Sequence, residues 1–405
     1  MQEDCLRTER VRQEISSAGL DAAICRLSSH VLMLTGYAPV LAESFVLFPR
    51  QGNPTLIVPD AEENIARAGW CLDIRPYSLG GLRPTTSVLE AVRPILARVI
   101  AEHQLDTATF GYEGTSAMEP VSYSQIGFPS AGTYDMIRQA APRAQFVDFA
   151  PVLRVLEATK TPREVDRLRA VANVARLGFE AARDVIGPGM SEATVASAAE
   201  AAIQAVGRKK GFERVQGFAH VMSGSRSALA YQAFNLTNDR QIQAGDPVLV
   251  QLEVYGDGYW SEATRTFFAG EPGAEGRRIY ECCLEAQEKA LATIHNGAAA
   301  SDVDQAARDD LSKAGFGQCF RHGLGHGLGF QAISHLQPPR LSPSSTDTIL
   351  TDMVFNVEPG VYVHGWGGVR VNDTVVARES DAEIITQIPR DLQWAIVPSG
   401  ARTRA

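Results

Sequence analysis

Leu6, Val11, Ile15 and Leu20 stripe a charged stretch at helical spacing, which predicts a helix over residues 1–20. Short apolar runs follow at Asp21-Ala-Ala-Ile-Cys25, Phe45-Val-Leu-Phe48 and Pro54–Pro59, each of strand length. They alternate with helical segments at Ala61–Ala68 and Thr86–His103, the pattern of a small α/β domain that residues 105–153 complete. A new unit opens at Lys160. Thr161 is placed to cap a helix, Pro162 takes its first position and Glu164 completes a capping box. That helix runs to about Val185, and Ser191 starts the next. The boundary is therefore set near 155, giving domains 1–155 and 156–405.

The strongest period-two pattern lies downstream. Pro247 to Tyr255 alternates apolar and polar, Gly256-Asp257-Gly258 turns the chain, and Tyr259 to Phe268 runs back. This hairpin is expected to bring Gln251 and Glu262 together, one from each strand. Helices over 274–296 and 301–314 follow, the second with Ser301 and Asp302 as caps and Gly315 as its stop.

Composition narrows the classes. The 405 residues, 45% hydrophobic and 21% charged, fit a soluble two-domain protein. A net charge of −9 argues against a nucleic-acid partner or an anionic membrane. No run of about 18 apolar residues marks a membrane span, and Met1-Gln-Glu-Asp-Cys5 lacks the basic and apolar regions of a signal peptide. Cysteines at 5, 25, 71, 282, 283 and 319 show no metal-ligand spacing and read as reduced thiols of a cytoplasmic enzyme.

The hairpin GDPVLVQLEVYGDGYWSEATRTFFAG resembles that of the prolidase, aminopeptidase P and creatinase family. Four further segments resemble the same family: SGSRSALAY, FRHGLGHGLGFQAISHLQPP, MVFNVEPGVYV and GGVRVNDTVVA. The resemblance implies an α+β chain, a small N-terminal α/β creatinase-like domain followed by a pita-bread catalytic domain. It also implies a homodimer, with Arg26 or Tyr37 reaching the partner's pocket.

In the family's metallopeptidases five positions bind two metal ions through Asp, Asp, His, Glu and Glu. Here the matching residues are Gln251, Glu262, His326, Glu358 and Asn372. Two carboxylates have become amides, which are much weaker ligands for hard divalent ions. Without an ion, Glu262 and Glu358 would share one proton or one organic cation. This pattern is similar to the metal-independent members, creatinase and ectoine hydrolase. It implies a metal-independent hydrolase, without cofactor, cleaving an amidine, guanidine or amide C–N bond of a small, cationic, non-peptide substrate.

Glu262, His326 and Glu358 would then be catalytic, with His326 moving a proton. Gln251, Asn372, Tyr231, His335 and Arg340 would bind substrate. Tyr231 stands where the family has a histidine; with a shifted gap Gln232 or Phe234 takes that place. His322 is an alternative to His335. Taken singly, each has a plainer reading: His326 as a structural histidine, Glu358 as a turn residue, Glu262 as a partner of Arg265, Arg340 as a solubilising arginine. Joint placement at matching motif positions raises the functional one. The runner-up is a one-metal Xaa-Pro peptidase with the ion at Glu262, His326 and Glu358. A catalytically inactive binding protein, as in a histone chaperone's prolidase-like domain, and a lyase on the same fold complete the alternatives.

Overall fold

Two helices of the second half begin where their start signals stand, at Thr161 and Ser191. In a computed structural model that describes residues 4–41, 43–80, 82, 84–116, 130–232 and 236–398, the chain divides into units 1–157 and 158–405. The first unit contains α1 (Cys5–Ser17), β1 (Ala22–Cys25), α2 (Ser28–Thr35), β2 (Phe45–Pro49), β3 (Thr55–Pro59) and α3 (Glu63–Ala66). It continues through β4 (Asp73–Tyr77), α4 (Val88–Glu102), β5 (Thr109–Tyr112), α5 (Ala131–Ala140), β6 (Gln145–Asp148) and α6 (Ala150–Ala158). Its sheet has the order β4-β3-β2-β1-β5-β6 and is antiparallel only where β2 meets β1 and β3. Ile24, Phe45, Leu47, Ile57, Leu96 and Phe110 lie in its core. Helix α2 has no amphipathic period because Ser29 through Thr35 are all buried, so the sequence pattern does not announce it. Its N-cap residue, Leu27, offers no side-chain acceptor. The Glu113 carboxylate supplies one instead, accepting the N–H groups of Arg26 at 2.9 Å and Leu27 at 3.0 Å.

The second unit opens with α7 (Pro162–Val185), where the capping box of Thr161 and Glu164 is formed, and α8 (Glu192–Gln204), capped by Ser191. β7 (Val215–Ser223), β8 (Pro247–Gly256) and β9 (Tyr259–Ala269) follow, then α9 (Ala274–Leu291) and α10 (Ala300–Lys313). Helix α9 stops five residues short of the expected 296. The N-cap of α10 is Ala299, not Ser301 or Asp302; Asp302 sits in the first turn, facing the positive end of the helix dipole. Strands β10 (Val354–Val357), β11 (Gly360–Val363), β12 (Gly367–Arg370), β13 (Asp373–Ala377) and β14 (Ala382–Ile384) lead to the short α11 (Leu392–Ala395) and β15 (Ile396–Val397). They form three sheets, β15-β9-β8-β7, β10-β13-β14 and β11-β12.

Strand β8 is buried on both faces except at Tyr255, and its two faces differ in kind. Leu252 points at the helices: a Cβ built on Gly178 of α7 would lie 2.9 Å from it and 2.8 Å from Ile203 of α8. A larger residue at 178 would push this helix layer off the sheet. The alternate positions Gln251 and Glu253 face the other way, where the polar site forms. Behind the remaining strands, α9 and α10 close a second core with Ile279, Cys283, Leu311, Phe355 and Val375.

Candidate active site

The turn between β8 and β9 sets which side chains meet. Asp257 and Gly258 have φ of +48° and +95° and form a two-residue loop, so Gly256 pairs with Tyr259. Counted outward from there, Glu253 lies opposite Glu262, and Gln251 lies opposite Thr264. The expected Gln251–Glu262 pairing is thus displaced by two residues. The sequence-based expectation took Gly256 as part of the turn, whereas Gly256 belongs to the ladder. On the other side His220 of β7 opposes Gln251. Directly opposed residues, and residues two apart on one strand, share a face. His220, Gln251, Glu253, Glu262 and Thr264 therefore form one polar row inside the protein. Glu253 and Glu262 are 0% and 1% exposed.

The facing half supplies His326, Glu358, Arg370 and Asn372. His326 and Asn356 are tied twice: His326 N–H donates to Asn356 Oδ1 at 2.7 Å, and Asn356 N–H donates to the His326 carbonyl at 3.1 Å. Gly325 permits that approach, since a Cβ there would fall 1.9 Å from the Asn356 carbonyl oxygen. Glu358 follows β10, its N–H held by the Leu324 carbonyl at 2.8 Å. Asn372 is fixed by Arg265, which is wholly buried, pairs with Asp373 at 2.6 Å and donates to the Asn372 carbonyl at 2.7 Å. Arg265 therefore does not pair with Glu262.

These elements converge on Glu262. Its Oε1 accepts from Asn372 Nδ2 at 2.8 Å, and its Oε2 lies 3.4 Å from His326 Nε2. Glu358 Oε1 lies 3.8 Å from the same nitrogen. Arg370 donates to Gln251 Oε1 and holds Nη1 3.8 Å from Glu358 Oε2. Gln251 Nε2 donates in turn to Glu253 Oε1 at 2.5 Å. His220 Nε2 is 3.1 Å from Glu253 Oε2, an ion-pair distance. Among the described residues Asn372 Oδ1, Arg370 Nε and Thr264 Oγ1 are buried without a hydrogen-bond partner. Such a concentration of unsatisfied polar atoms marks a place built for another group.

Burial pushes the Glu262 carboxyl up to about 8; Glu253 adds to the rise, while Arg370 and the amides of Asn372 and Asn356 oppose it. Burial likewise pushes Glu358 up to about 7, with Arg370 pulling down and Glu262 pushing up. Both acids sit where a cation would be strongly favoured. The donor set suits a divalent metal ion. His326 Nδ1 faces the Gly327 carbonyl at 3.0 Å, which fixes the tautomer; the Nε2 lone pair accepts from Asn356 Nδ2 at 3.2 Å beside Glu262 and Glu358, so a bound ion would displace that amide. One imidazole nitrogen and two carboxylates are a usual transition-metal set.

The other expected residues make contacts of their own. Tyr231 stacks obliquely on Tyr362 at 5.3 Å, and its hydroxyl accepts from Gln232 at 2.6 Å and Arg321 at 3.3 Å. Phe234 lies outside the described residues. His335 is exposed and meets the His326 ring edge-on at 5.2 Å. Arg340 commits its guanidinium to Asp347, at 2.7 and 2.8 Å. His322 lies between the Gly323 carbonyl and the Tyr362 hydroxyl, and burial lowers it to about 3, so it stays neutral. In the first unit Tyr37 is buried with its hydroxyl on Glu62, and Arg26 bonds Thr133 at 2.7 Å.

Glu253, His220, Arg370 and Asn356 join the site without having been singled out beforehand. The hairpin register was the one available signal, and it points to Glu253. The first unit also holds a grouping that no cysteine spacing announced: Cys25, His30 and Glu113 place ligand atoms within 4.8 Å of one another. There Glu113 already accepts two backbone N–H groups and lies 2.5 Å from His30 Nδ1.

Comparison with known families decides between metal and no metal. The model of metallopeptidase family M24 matches residues 166–379, and that of the creatinase/prolidase N-terminal domain matches residues 7–158. The chain belongs to family M24. It therefore has the creatinase-like N-terminal domain and the pita-bread catalytic domain. It is 31% identical over 399 residues to an Xaa-Pro dipeptidase of Lactobacillus helveticus, covering 97% of this chain and 99% of that one. It is 31% identical over 288 residues to the Xaa-Pro dipeptidase of Pyrococcus furiosus, covering 71% and 76%. The solved Xaa-Pro dipeptidase from Bacillus anthracis superimposes with a TM-score of 0.78 at 26% identity, covering 97% and 100%.

These findings overturn two expectations, the metal-independent hydrolase of a non-peptide substrate and the absence of a cofactor. The physical reason is the charge count. Five aligned positions gave two carboxylates; the structure adds a third, Glu253, directly opposite Glu262.

Proposed function

We propose that this M24 enzyme is a metal-dependent Xaa-Pro dipeptidase, hydrolysing the peptide bond before proline. The observation that carries this reading is the convergence of Glu262, His326 and Glu358, with their donor atoms 3.4 and 3.8 Å apart. The relatives' names supply the substrate class. A divalent ion held by these three residues supplies a Lewis acid and an acidified water.

The chain's other residues prepare that place. Asn372 and Asn356 direct N–H groups at Glu262 and so fix its carboxylate, and the Gly327 carbonyl orients His326. Burial excludes bulk water, which strengthens each of these interactions. Arg370 lies beside Glu358 and would attract a substrate carboxylate. Tyr231, whose hydroxyl accepts from Arg321, stands where the family's histidine is expected and would contact the substrate. The family resemblance also supports a homodimer, which light scattering at micromolar protein tests.

The test of function is turnover of an Xaa-Pro dipeptide panel by full-length protein loaded with Mn or Co, against Xaa-Ala controls. Proline-selective release of amino acid is expected. Folded, metal-loaded protein with no activity on any Xaa-Pro dipeptide would sink the reading.

A further inference from the structure

We infer that this site takes a single divalent ion, because Gln251 and Asn372 are amides and the Arg370 guanidinium already offsets one of its three carboxylates. The inference deepens the reading above, on which its choice of ligands rests.

Three observations support it. The first is charge. Ionised Glu253, Glu262 and Glu358 carry three negative charges, and the Arg370 guanidinium, only 4% exposed, returns one positive. Two negative charges remain, matching one dication; a second would leave buried positive charge without a partner.

The second is the direction of the amides. Gln251 gives its oxygen to Arg370 and its nitrogen to Glu253. Asn372 gives its nitrogen to Glu262. Both therefore deliver N–H groups where an incoming ion needs lone pairs. Asn372 Oδ1 is the one amide oxygen of this pair left over, and it adds no charge.

The third is Arg370 itself. Its backbone N–H is held by Thr266 Oγ1 at 2.9 Å, and it stands at the end of β12 in register with Gly360 of β11. Its guanidinium is thus carried from a fixed strand position and held by Gln251, within reach of Glu358.

The test counts ions. Apo full-length protein is titrated with Co(II) or Mn(II) by calorimetry, with elemental analysis after dialysis. Wild type is expected to bind one equivalent. Arg370→Gln is expected to bind that ion about tenfold more tightly or better, as removing one nearby like charge predicts, and to take up a second, weaker equivalent. A guanidinium with only a structural role would give unchanged or weaker binding on removal. Should Arg370→Gln fail to fold by circular dichroism, the double variant Gln251→Asp, Asn372→Glu decides, since it restores two carboxylates and should bind two equivalents. Two equivalents on wild type, or none at millimolar metal, overturns the inference. So does a folded Arg370→Gln with unchanged or weaker affinity, or a folded double variant that stays at one. One bound equivalent without Xaa-Pro hydrolysis leaves this inference standing and removes the peptidase reading instead.

Discussion

Glu262 is the residue on which the site turns. It touches Asn372, Asn356 and His326, and it faces Glu253 across the hairpin. Glu262→Gln and Glu358→Gln each remove a charged ligand. Each should lower kcat/KM by more than the ~10–100-fold typical of residues that only orient ligands. Asn372→Ala should fall inside that range, because it loses orientation and keeps every charge. Metal affinity measured by calorimetry separates the cases: the two Gln variants should lose it, and Asn372→Ala should weaken it. Full metal binding by Glu262→Gln would show that the ligand assignment is wrong. The effects of Glu262→Gln and Glu358→Gln should be strongly non-additive, since both act on one bound ion.

Elements explain what the sequence shows and what it hides. Local signals are self-contained: Thr161, Pro162 and Glu164 cap α7 without outside help, and the caps of α8 and α4 are equally legible. Helix α2 is hidden because its start is completed from another strand, by Glu113 at the end of β5. The site was half legible for the same reason. Motifs locate Glu262, His326 and Glu358, but the pairing of Glu253 with Glu262 depends on a turn of two residues instead of three. Arg370 and Asn356 act through contacts that no spacing records.

Around α2 the buried His30 lies 2.5 Å from Glu113 and 3.4 Å from Glu157. Burial disfavours its charge, yet the two carboxylates outweigh burial and Arg154, so its pKa is raised. A raised folded pKa gives stability that is fully present below the ordinary histidine value near ~6.5 and is lost as pH rises through the folded value. His30 should therefore contribute a decline from about pH 6.5 upward, on top of the decline that the raised Glu262 and Glu358 carboxyls of the metal-free protein give from about pH 4.5; Cys25, also raised by burial, adds its own only above about pH 8.5. His30→Gln should cost about 3–5 kcal/mol near pH 6, as breaking a buried charge pair does, and should lessen the slope above about pH 6.5 while leaving the part due to Glu262 and Glu358. Denaturant melts at several pH values measure both. An equal slope in His30→Gln would assign the pH dependence to other groups.

At the scale of the whole molecule, two separate places among the described residues could attract a metal ion. One is the row of Glu262, His326 and Glu358 in unit 158–405; the other is Cys25, His30 and Glu113 in unit 1–157. The physical contrast favours the first. At Glu262 and Glu358 burial has raised the acids, and the Arg370 guanidinium, 3.8 Å from Glu358, offsets that only in part. At Glu113 two backbone N–H groups and a histidine already occupy the carboxylate, and the Cys25 thiol is held neutral by burial. A thiol must ionise before it binds metal. Added Mn(II) should stabilise by the usual mass-action term, ~2.7 kcal/mol at a hundred times its Kd. Hydrogen exchange should place that protection in β8, β9 and residues 321–337 and 354–374. Peptides spanning 22–35 and 109–113 should exchange at the same rate with and without the ion. Metal-dependent protection confined to those two peptides would move the metal centre into the first unit and leave Glu262 and Glu358 as a proton-sharing pair.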